Sequence, residues 1–346
     1  MAGTDATLEA RIAAYIASVL PAAEDVEVAG LDRIFGGASR ETYRFVLRYR
    51  EAGEAVMRRL ILRRDPPGSL IETERAVEFA AYRAFYGTEV PVPEPLWLEE
   101  DSHWLDHPFF IMEELAGLES SPQAITASPY AEHAEKLAAQ KWGILAKISV
   151  ADPQALGLET VMEPVEPGAC ADRELGYWER LIDRDEMAPQ PVARAAIRWL
   201  RRYPPAPAQR VSVVHADYRT GNFLYDTDGN VRAILDWEMA HLGDPLEDLA
   251  WGLNPVWRFG TADRAGGLVP REEAVRIWEA ESGLHADPAA LRWWEVFSSV
   301  KGQAIWISSG QQFTHGKNQD PVLALAAWLM GNSQDRAILS LLGELS

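Results

Sequence analysis

His215, Asp217 and Asn222 lie in one short run, Val211-Ser-Val-Val-His215-Ala216-Asp217-Tyr218-Arg219-Thr220-Gly221-Asn222. A carboxylate in such a loop is placed to accept a proton from an attacking hydroxyl, which is the work asked here of Asp217. Asn222 stands immediately before the apolar run Phe223–Tyr225, and Asp236 stands immediately after Val231–Leu235. The turn residues Asp226 to Asn230 between these runs make them a β-hairpin, and antiparallel pairing returns Asp236 to Asn222 at its open end. An amide oxygen beside a carboxylate, completed by phosphate oxygens, is the hard-oxygen set that Mg²⁺ requires. His215 is read as a residue that orients the loop by hydrogen bonding.

The flanking sequence shows which elements would hold these residues. After a first helix near 7–20, period-two patterns over Leu31–Phe35, Thr42–Arg48 and Ala55–Arg63 predict three strands of an antiparallel meander. Residues 71–86 switch to a helical period, Val90-Pro91-Val92-Pro93 ends that stretch, and Leu96–Leu98 and Phe109–Met112 predict two further strands. Beyond Gly117 the pattern becomes helical, around 129–149, 172–183, 191–202, 271–282, 288–309 and 321–342. The hairpin and the short strand Val211–Val214 interrupt this helical part, and β structure bounded by polar punctuation there marks a site.

Composition excludes several classes. With 346 residues, 33 Lys+Arg and 52 Asp+Glu, the formal charge is −19. A surface of that sign repels polyanions, so no nucleic-acid partner is expected. No run approaches 18 apolar residues and the start lacks a basic segment ahead of an apolar core, so the chain is expected to be soluble and cytoplasmic, without a membrane partner. The single cysteine, Cys170, cannot form an internal disulfide. Composition and length leave the oligomeric state open.

His215-Ala-Asp217-x4-Asn222, Ile-Leu-Asp236-Trp-Glu238 and Gly243-Asp244-Pro245-x2-Asp248-Leu-Ala250 resemble the catalytic loop and metal-binding segment of the aminoglycoside phosphotransferase and choline kinase superfamily. Phe35-Gly36-Gly37-Ala38-Ser39-Arg40-Glu41-Thr42-Tyr43 and Leu62-Arg63-Arg64-Asp-Pro66-Pro67-Gly68 are similar to the phosphotransferase group related to the kinase-like domain attached to some acyl-CoA dehydrogenases. The likeness spans about 30 to 310. A protein kinase fits less well, since Asp236-Trp-Glu238 stands where Asp-Phe-Gly is expected and no Ala-Pro-Glu follows.

The resemblance implies an α+β, bilobal protein-kinase-like fold. Residues 1–113 would be a small antiparallel β N-lobe that binds nucleotide, 113–117 the hinge, and 118–346 a larger helical C-lobe. It implies ATP or another nucleoside triphosphate with Mg²⁺, and a small-molecule hydroxylated substrate. Asp217 would be the catalytic base and Asn222 and Asp236 the metal ligands. Gly36, Gly37 and Ser39 would cover the phosphates. Glu113 and Leu115 would present hinge backbone to the base. Glu78 would orient the basic residue of the third strand. That residue is usually lysine, yet the first 116 residues contain none; Arg63 takes the position, its guanidinium bridging Glu78 and the phosphates, while Arg64 points to the opposite face of the strand. Ala216 stands where glycine is common and is harmless if its φ is negative.

Other features have blander readings. Asp244 and Asp248 are read as helix caps, and Arg194, Arg198, Arg201 and Arg202, at helical spacing, as a solvated face. Gly310 to Asn318 resembles a phosphate loop but has one residue too many and lacks the final Ser or Thr. Eight of 13 tryptophans fall at or after Trp237. A pocket among Trp251, Trp257, Trp294 and Trp306 would suit an apolar or hydroxyacyl acceptor better than a polycationic sugar. The alternatives are a catalytically inactive nucleotide-binding module and a true aminoglycoside phosphotransferase.

Overall fold

The alternating stretches behind the first helix pair into one five-stranded antiparallel sheet. The computed structural model describes residues 7–34, 41–65, 75–261, 263–317 and 321–343. Helix α1 (Leu8–Val19), capped by the Thr7 hydroxyl, leads into β1 (Glu24–Ile34), β2 (Glu41–Glu51) and β3 (Glu54–Arg64). Helix α2 (Arg75–Phe85), β4 (Pro95–Glu99) and β5 (Phe109–Glu113) follow. The sheet order is β1-β2-β3-β5-β4. The predicted five strands with one intervening helix are therefore present. β1, however, begins seven residues before the predicted Leu31, because Val26 and Val28 continue the alternation through flanking acids. Phe35 lies outside the described residues, as do 71–74 of the predicted second helix.

Strand parity gives the sheet two differently occupied faces. Leu60 and Leu62 of β3 face outward onto α1, forming a buried cluster with Ile12, Tyr15, Ile16, Phe45 and Phe109. Ile61 faces the other way, into a cluster with Phe79 and Tyr82 of α2 and Phe110 of β5. That inner cluster continues without a break into the helical part, where Phe85 stacks on Trp237 at 4.8 Å between ring centroids.

The second part contains α3 (Ala134–Val150), α4 (Cys170–Asp185) and α5 (Pro191–Arg202), then β6 (Ser212–Val214) and the hairpin β7 (Phe223–Tyr225) and β8 (Val231–Ile234). β9 (His241–Gly243), α6 (Pro245–Leu253), α7 (Arg271–Ser282), α8 (Pro288–Thr314) and α9 (Pro321–Gly343) complete it. A turn of 3₁₀ helix, Tyr130–His133, occupies the predicted start of α3. β9 has no counterpart among the predicted strands, since three residues carry too little pattern, and it forms by pairing antiparallel with β6. No helix among the described residues is long and apolar enough to cross a membrane.

Candidate active site

The segment from His215 to Asn222 leaves β6 as a loop whose backbone is clamped on both sides. Asp248, buried in the first turn of α6, accepts the amide hydrogens of His215 at 2.6 Å and of Ala216 at 2.8 Å. Lys301 of α8, also buried, donates through Nζ to the Ala216 carbonyl at 2.7 Å. The Ala216 peptide groups are thus held from two helices, and its φ is +66°. The condition for a harmless methyl, a negative φ, is not met: a Cβ sits in the left-handed region, which glycine would occupy without strain. Asp248 is likewise not a simple cap. Burial pushes its carboxyl up to about 7, against the pull of the two amides. Asp244 does cap α6, accepting from Leu246 N–H at 3.0 Å, and also accepts from the Trp294 indole.

His215 orients the loop, as expected. Its Nδ1 accepts the Asp217 amide hydrogen at 3.2 Å, so Nε2 carries the proton it gives to the Leu235 carbonyl at 2.9 Å. Burial holds the imidazole below its ordinary value, in keeping with a neutral ring.

Three donors fix the Asp217 carboxylate. The Trp251 indole N–H reaches Oδ1 at 2.8 Å, Arg219 Nε lies 3.1 and 3.3 Å from the two oxygens, and Asn222 Nδ2 reaches Oδ2 at 2.6 Å. The same Nδ2 donates to the Asp217 carbonyl at 2.9 Å. Since both partners are acceptors, the amide orientation is set by chemistry, and Asn222 Oδ1 is turned away from them. Gly221, at φ +112°, makes this turn, and a Cβ there would meet Arg219 Nη1 at 2.7 Å. The Arg219 guanidinium lies over the Trp257 ring at 4.9 Å, and Trp257 meets Trp251 edge-on at 5.3 Å. Arg219 was not singled out in the sequence, and Trp251 only as a wall of an acceptor pocket, although it follows Asp248 by three residues on α6 and so shares its face. The expected four-tryptophan pocket does not form. Trp294 is buried against Trp293 and Phe297, and Trp306 lines a separate cavity beside α9.

Pairing of Phe223 with Ile234, and a Leu235 amide bonded to the Asn222 carbonyl at 2.8 Å, bring Asn222 and the residue before Asp236 together at the hairpin end. Asp236 sits at φ +69° and donates its amide hydrogen to Tyr82 of α2 at 2.8 Å. Its Oδ1 lies 2.6 Å from Arg63 Nη2, which is also 3.2 Å from Glu78. Arg63 therefore pairs with Glu78, as anticipated, and with Asp236 as well. Burial works against the Arg63 charge, and Glu78 and Asp236 outweigh it. Arg64 does face the opposite side, bonded to Glu41 and to the Leu105 carbonyl. The hard oxygens of Asn222 and Asp236 fit Mg²⁺, with Arg63 already on one Asp236 oxygen.

Glu113 ends β5 with its amide hydrogen given to the Glu94 carbonyl, and Glu114 gives its own to Arg59. The Leu115 amide has no backbone partner among the described residues. Gly36, Gly37 and Ser39 lie outside the described residues. Arg194 pairs with Asp183 and Glu186, and Arg201 with Asp172 and Glu179, consistent with a charged surface.

A second layer of charge supports the loop. Lys301 is 3.0 Å from Glu247, which is 3.1 Å from His241 Nε2; Glu174 of α4 lies 3.5 Å from the same nitrogen. Burial lowers the His241 imidazolium, but the two carboxylates prevail and raise it to about 9. Lys301, first in this chain of charges, is the group that holds the Ala216 carbonyl.

A model of the phosphotransferase enzyme family matches residues 31–294. A mouse protein named acyl-CoA dehydrogenase family member 10 is 32% identical over 198 residues, 56% of this chain and 18% of that protein. The chain spans about a fifth to a third of the length of the acyl-CoA dehydrogenase relatives it matches. Among solved structures, a Ralstonia eutropha protein provisionally described as an aminoglycoside phosphotransferase superposes with TM-score 0.71 at 21% identity, covering 96% of this chain and 98% of that one. A thermostable mutant of an aminoglycoside phosphotransferase, in ternary complex with ADP and hygromycin B, superposes with TM-score 0.57 at 18% identity, covering 95% and 98%.

Two outcomes follow from the clamp. Ala216→Gly removes left-handed strain while adding freedom to the unfolded chain, so denaturant unfolding should show a gain of about 0.5–1 kcal/mol; a loss would refute the strain. His241, raised in the folded protein, contributes stability that is complete below about pH 6.5 and lost as pH rises through about 9. Wild type should therefore lose on the order of 1–3 kcal/mol across that window, and His241→Gln should flatten the profile; parallel profiles would exclude His241 as the source.

Proposed function

Because the chain belongs to the phosphotransferase enzyme family, we propose that it moves the γ-phosphoryl group of ATP to a hydroxyl of a small molecule. The observation that carries this reading is the orientation of Asp217 and Asn222 together: one side chain is fixed as a proton acceptor while the other keeps its amide oxygen for a cation. In the reaction the acceptor hydroxyl gives its proton to an Asp217 carboxylate oxygen, the acceptor oxygen bonds to the γ-phosphorus, and the bond to the bridging oxygen breaks with its electron pair leaving on ADP. When bound by Asn222 Oδ1 and Asp236, Mg²⁺ would offset charge on the phosphate oxygens. Trp251 and Arg219 hold the Asp217 rotamer, and Arg63 ties β3 and α2 to Asp236. Residues 1–113 would carry the nucleotide, 113–117 the hinge, and 118–346 the acceptor, with Gly36, Gly37 and Ser39 over the phosphates and Glu113 and Leu115 at the base.

For the acceptor we favour a hydroxyacyl thioester. Around Asp217 stand the Trp251 indole, the Asn222 amide and the Arg219 guanidinium with Trp257 against it, a set that suits an apolar acceptor better than a polycationic aminoglycoside. The acyl-CoA dehydrogenase relatives point the same way. An inactive nucleotide-binding module has no use for a carboxylate fixed by three donors.

Asp217→Asn should lower turnover roughly 10²–10⁴-fold while leaving Mg·ATP binding close to wild type, read by steady-state kinetics and calorimetry; unaltered turnover would remove the base role. Arg63→Lys ends in an ammonium that falls short of the Nη2 position, from which both Glu78 and Asp236 are met, so ATP affinity or turnover should fall about ten- to a hundredfold. Arg64→Ala, on the other face, should have a much smaller effect. Equal effects at both positions would transfer the role away from Arg63.

A further inference from the structure

Helix α9 is apolar on two faces, and only one of them is used within the molecule. Leu323, Ala337 and Ile338 are buried against the rest of the chain, and α8 comes so close that a Cβ at Gly310 would meet Ala327 at 3.2 Å. On the other side Leu325, Trp328, Leu329 and Leu339 are exposed, Trp328 to 68%. With 3.6 residues per turn these four fall in a stripe roughly 100° wide, together with Asn332 and Arg336. Met187, itself exposed, extends the stripe across a cavity of about 320 Å³ that it lines with Trp306, Trp328 and Asn332. Single exposed apolar residues are ordinary, but a tryptophan and three leucines in one stripe are the mark of an interaction surface.

The chemistry of the stripe selects its occupant. Pro321–Gly343 carries one arginine, one aspartate and no lysine, whereas a helix that lies on a membrane is rich in basic residues on its polar face. The pattern is instead its own complement. Asn332 stands midway, seven residues from Leu325 and from Leu339, and four from Trp328 and from Arg336. An antiparallel copy centred on Asn332 sets Leu325 against the partner's Leu339 and brings Trp328 level with the partner's Arg336, a cation within reach of an indole. A parallel copy would set Arg336 beside its own like charge and align the two helix dipoles unfavourably. A single amide in an otherwise apolar seam fixes register. Asn332 gives one amide hydrogen to the Trp328 carbonyl at 3.0 Å, which leaves its second amide hydrogen and its oxygen for the copy opposite.

We propose that α9 is the seam of a symmetric homodimer, in which two chains pair antiparallel from Leu325 to Leu339 about a two-fold axis at Asn332. This is independent of the phosphotransferase reading. A seam of about four helical turns is shorter than those that bury ~800 Å² on each partner, so dissociation falls in the micromolar range. Each copy carries a formal charge of −19, so long-range repulsion opposes the approach and added salt relieves it.

Two measurements on the full chain test it. Sedimentation equilibrium from about 1 to 200 µM should show a monomer–dimer equilibrium that tightens as salt is raised. Trp328→Asp and Leu339→Asp should each weaken it more than about tenfold, while Met57→Asp, at an equally exposed position on β3, should leave it unchanged. All three side chains stand in solvent, so the variants keep their fold, which thermal unfolding checks. Orientation is read by cross-linking under mild oxidation, to which the buried Cys170 does not contribute. Asn332→Cys should join two chains through one disulfide, Leu339→Cys alone should not, and Leu339→Cys mixed with Leu325→Cys should. A monomer at every concentration overturns the proposal, whether or not it binds anionic phospholipid vesicles. A dimer indifferent to Trp328 and Leu339, or one that salt dissociates, overturns it as well. Self-cross-linking of Leu339→Cys in preference to Asn332→Cys overturns the antiparallel seam.

Discussion

A buried carboxylate accepting two consecutive backbone amides is the contact on which the rest of the site depends. Asp248 has no solvent to fall back on, and its two oxygens are occupied by His215 and Ala216. This fixes where the chain leaves β6 and therefore where Asp217 points. Removing one partner of such an arrangement leaves a buried polar group unsatisfied, which costs more than the net gain of the hydrogen bond itself. Lys301 secures the same peptide from the opposite helix. The charge of Lys301 is in turn balanced by Glu247, which also meets His241, itself beside Glu174, so the loop rests on four elements at once.

Arg63 does the corresponding work between the two parts of the molecule. The guanidinium reaches from β3 so that one nitrogen, Nη2, meets the helix carboxylate of α2 and the carboxylate after β8 together, a reach the shorter lysine lacks. The consequence is that Asp236 is anchored from the sheet as well as from its own hairpin. A metal ion arriving at Asp236 would share that residue with a cation already present, and its affinity would reflect the competition.

Much of this was legible in the sequence. The His-x-Asp-x4-Asn spacing with a hairpin behind it located Asp217, Asn222 and Asp236, since antiparallel pairing leaves little choice about where a hairpin's ends meet. Strand parity separated Arg63 from Arg64 for the same reason. What could not be read depends on residues far apart in the chain. The left-handed Ala216 is imposed by Asp248 and Lys301, 32 and 85 positions onward. The bond from Arg63 to Asp236 spans 173 positions. Tryptophan content was a poor guide for a physical reason: in a helical lobe most large aromatics fill core, and composition does not show which of several borders Asp217.

The sheet belongs to two cores, and that division sets how the molecule comes apart. Its outer face and α1 form a closed cluster of their own, while its inner face shares one continuous interior with the helices. Loss of α1 would uncover the outer side chains of β3 and leave Ile61, Phe110 and the ring stack of Phe85 on Trp237 in place. Slow amide exchange should consequently divide by strand face and helix, with α1 among the first segments to open, and the interior that joins the lobes opening last, as a single unit.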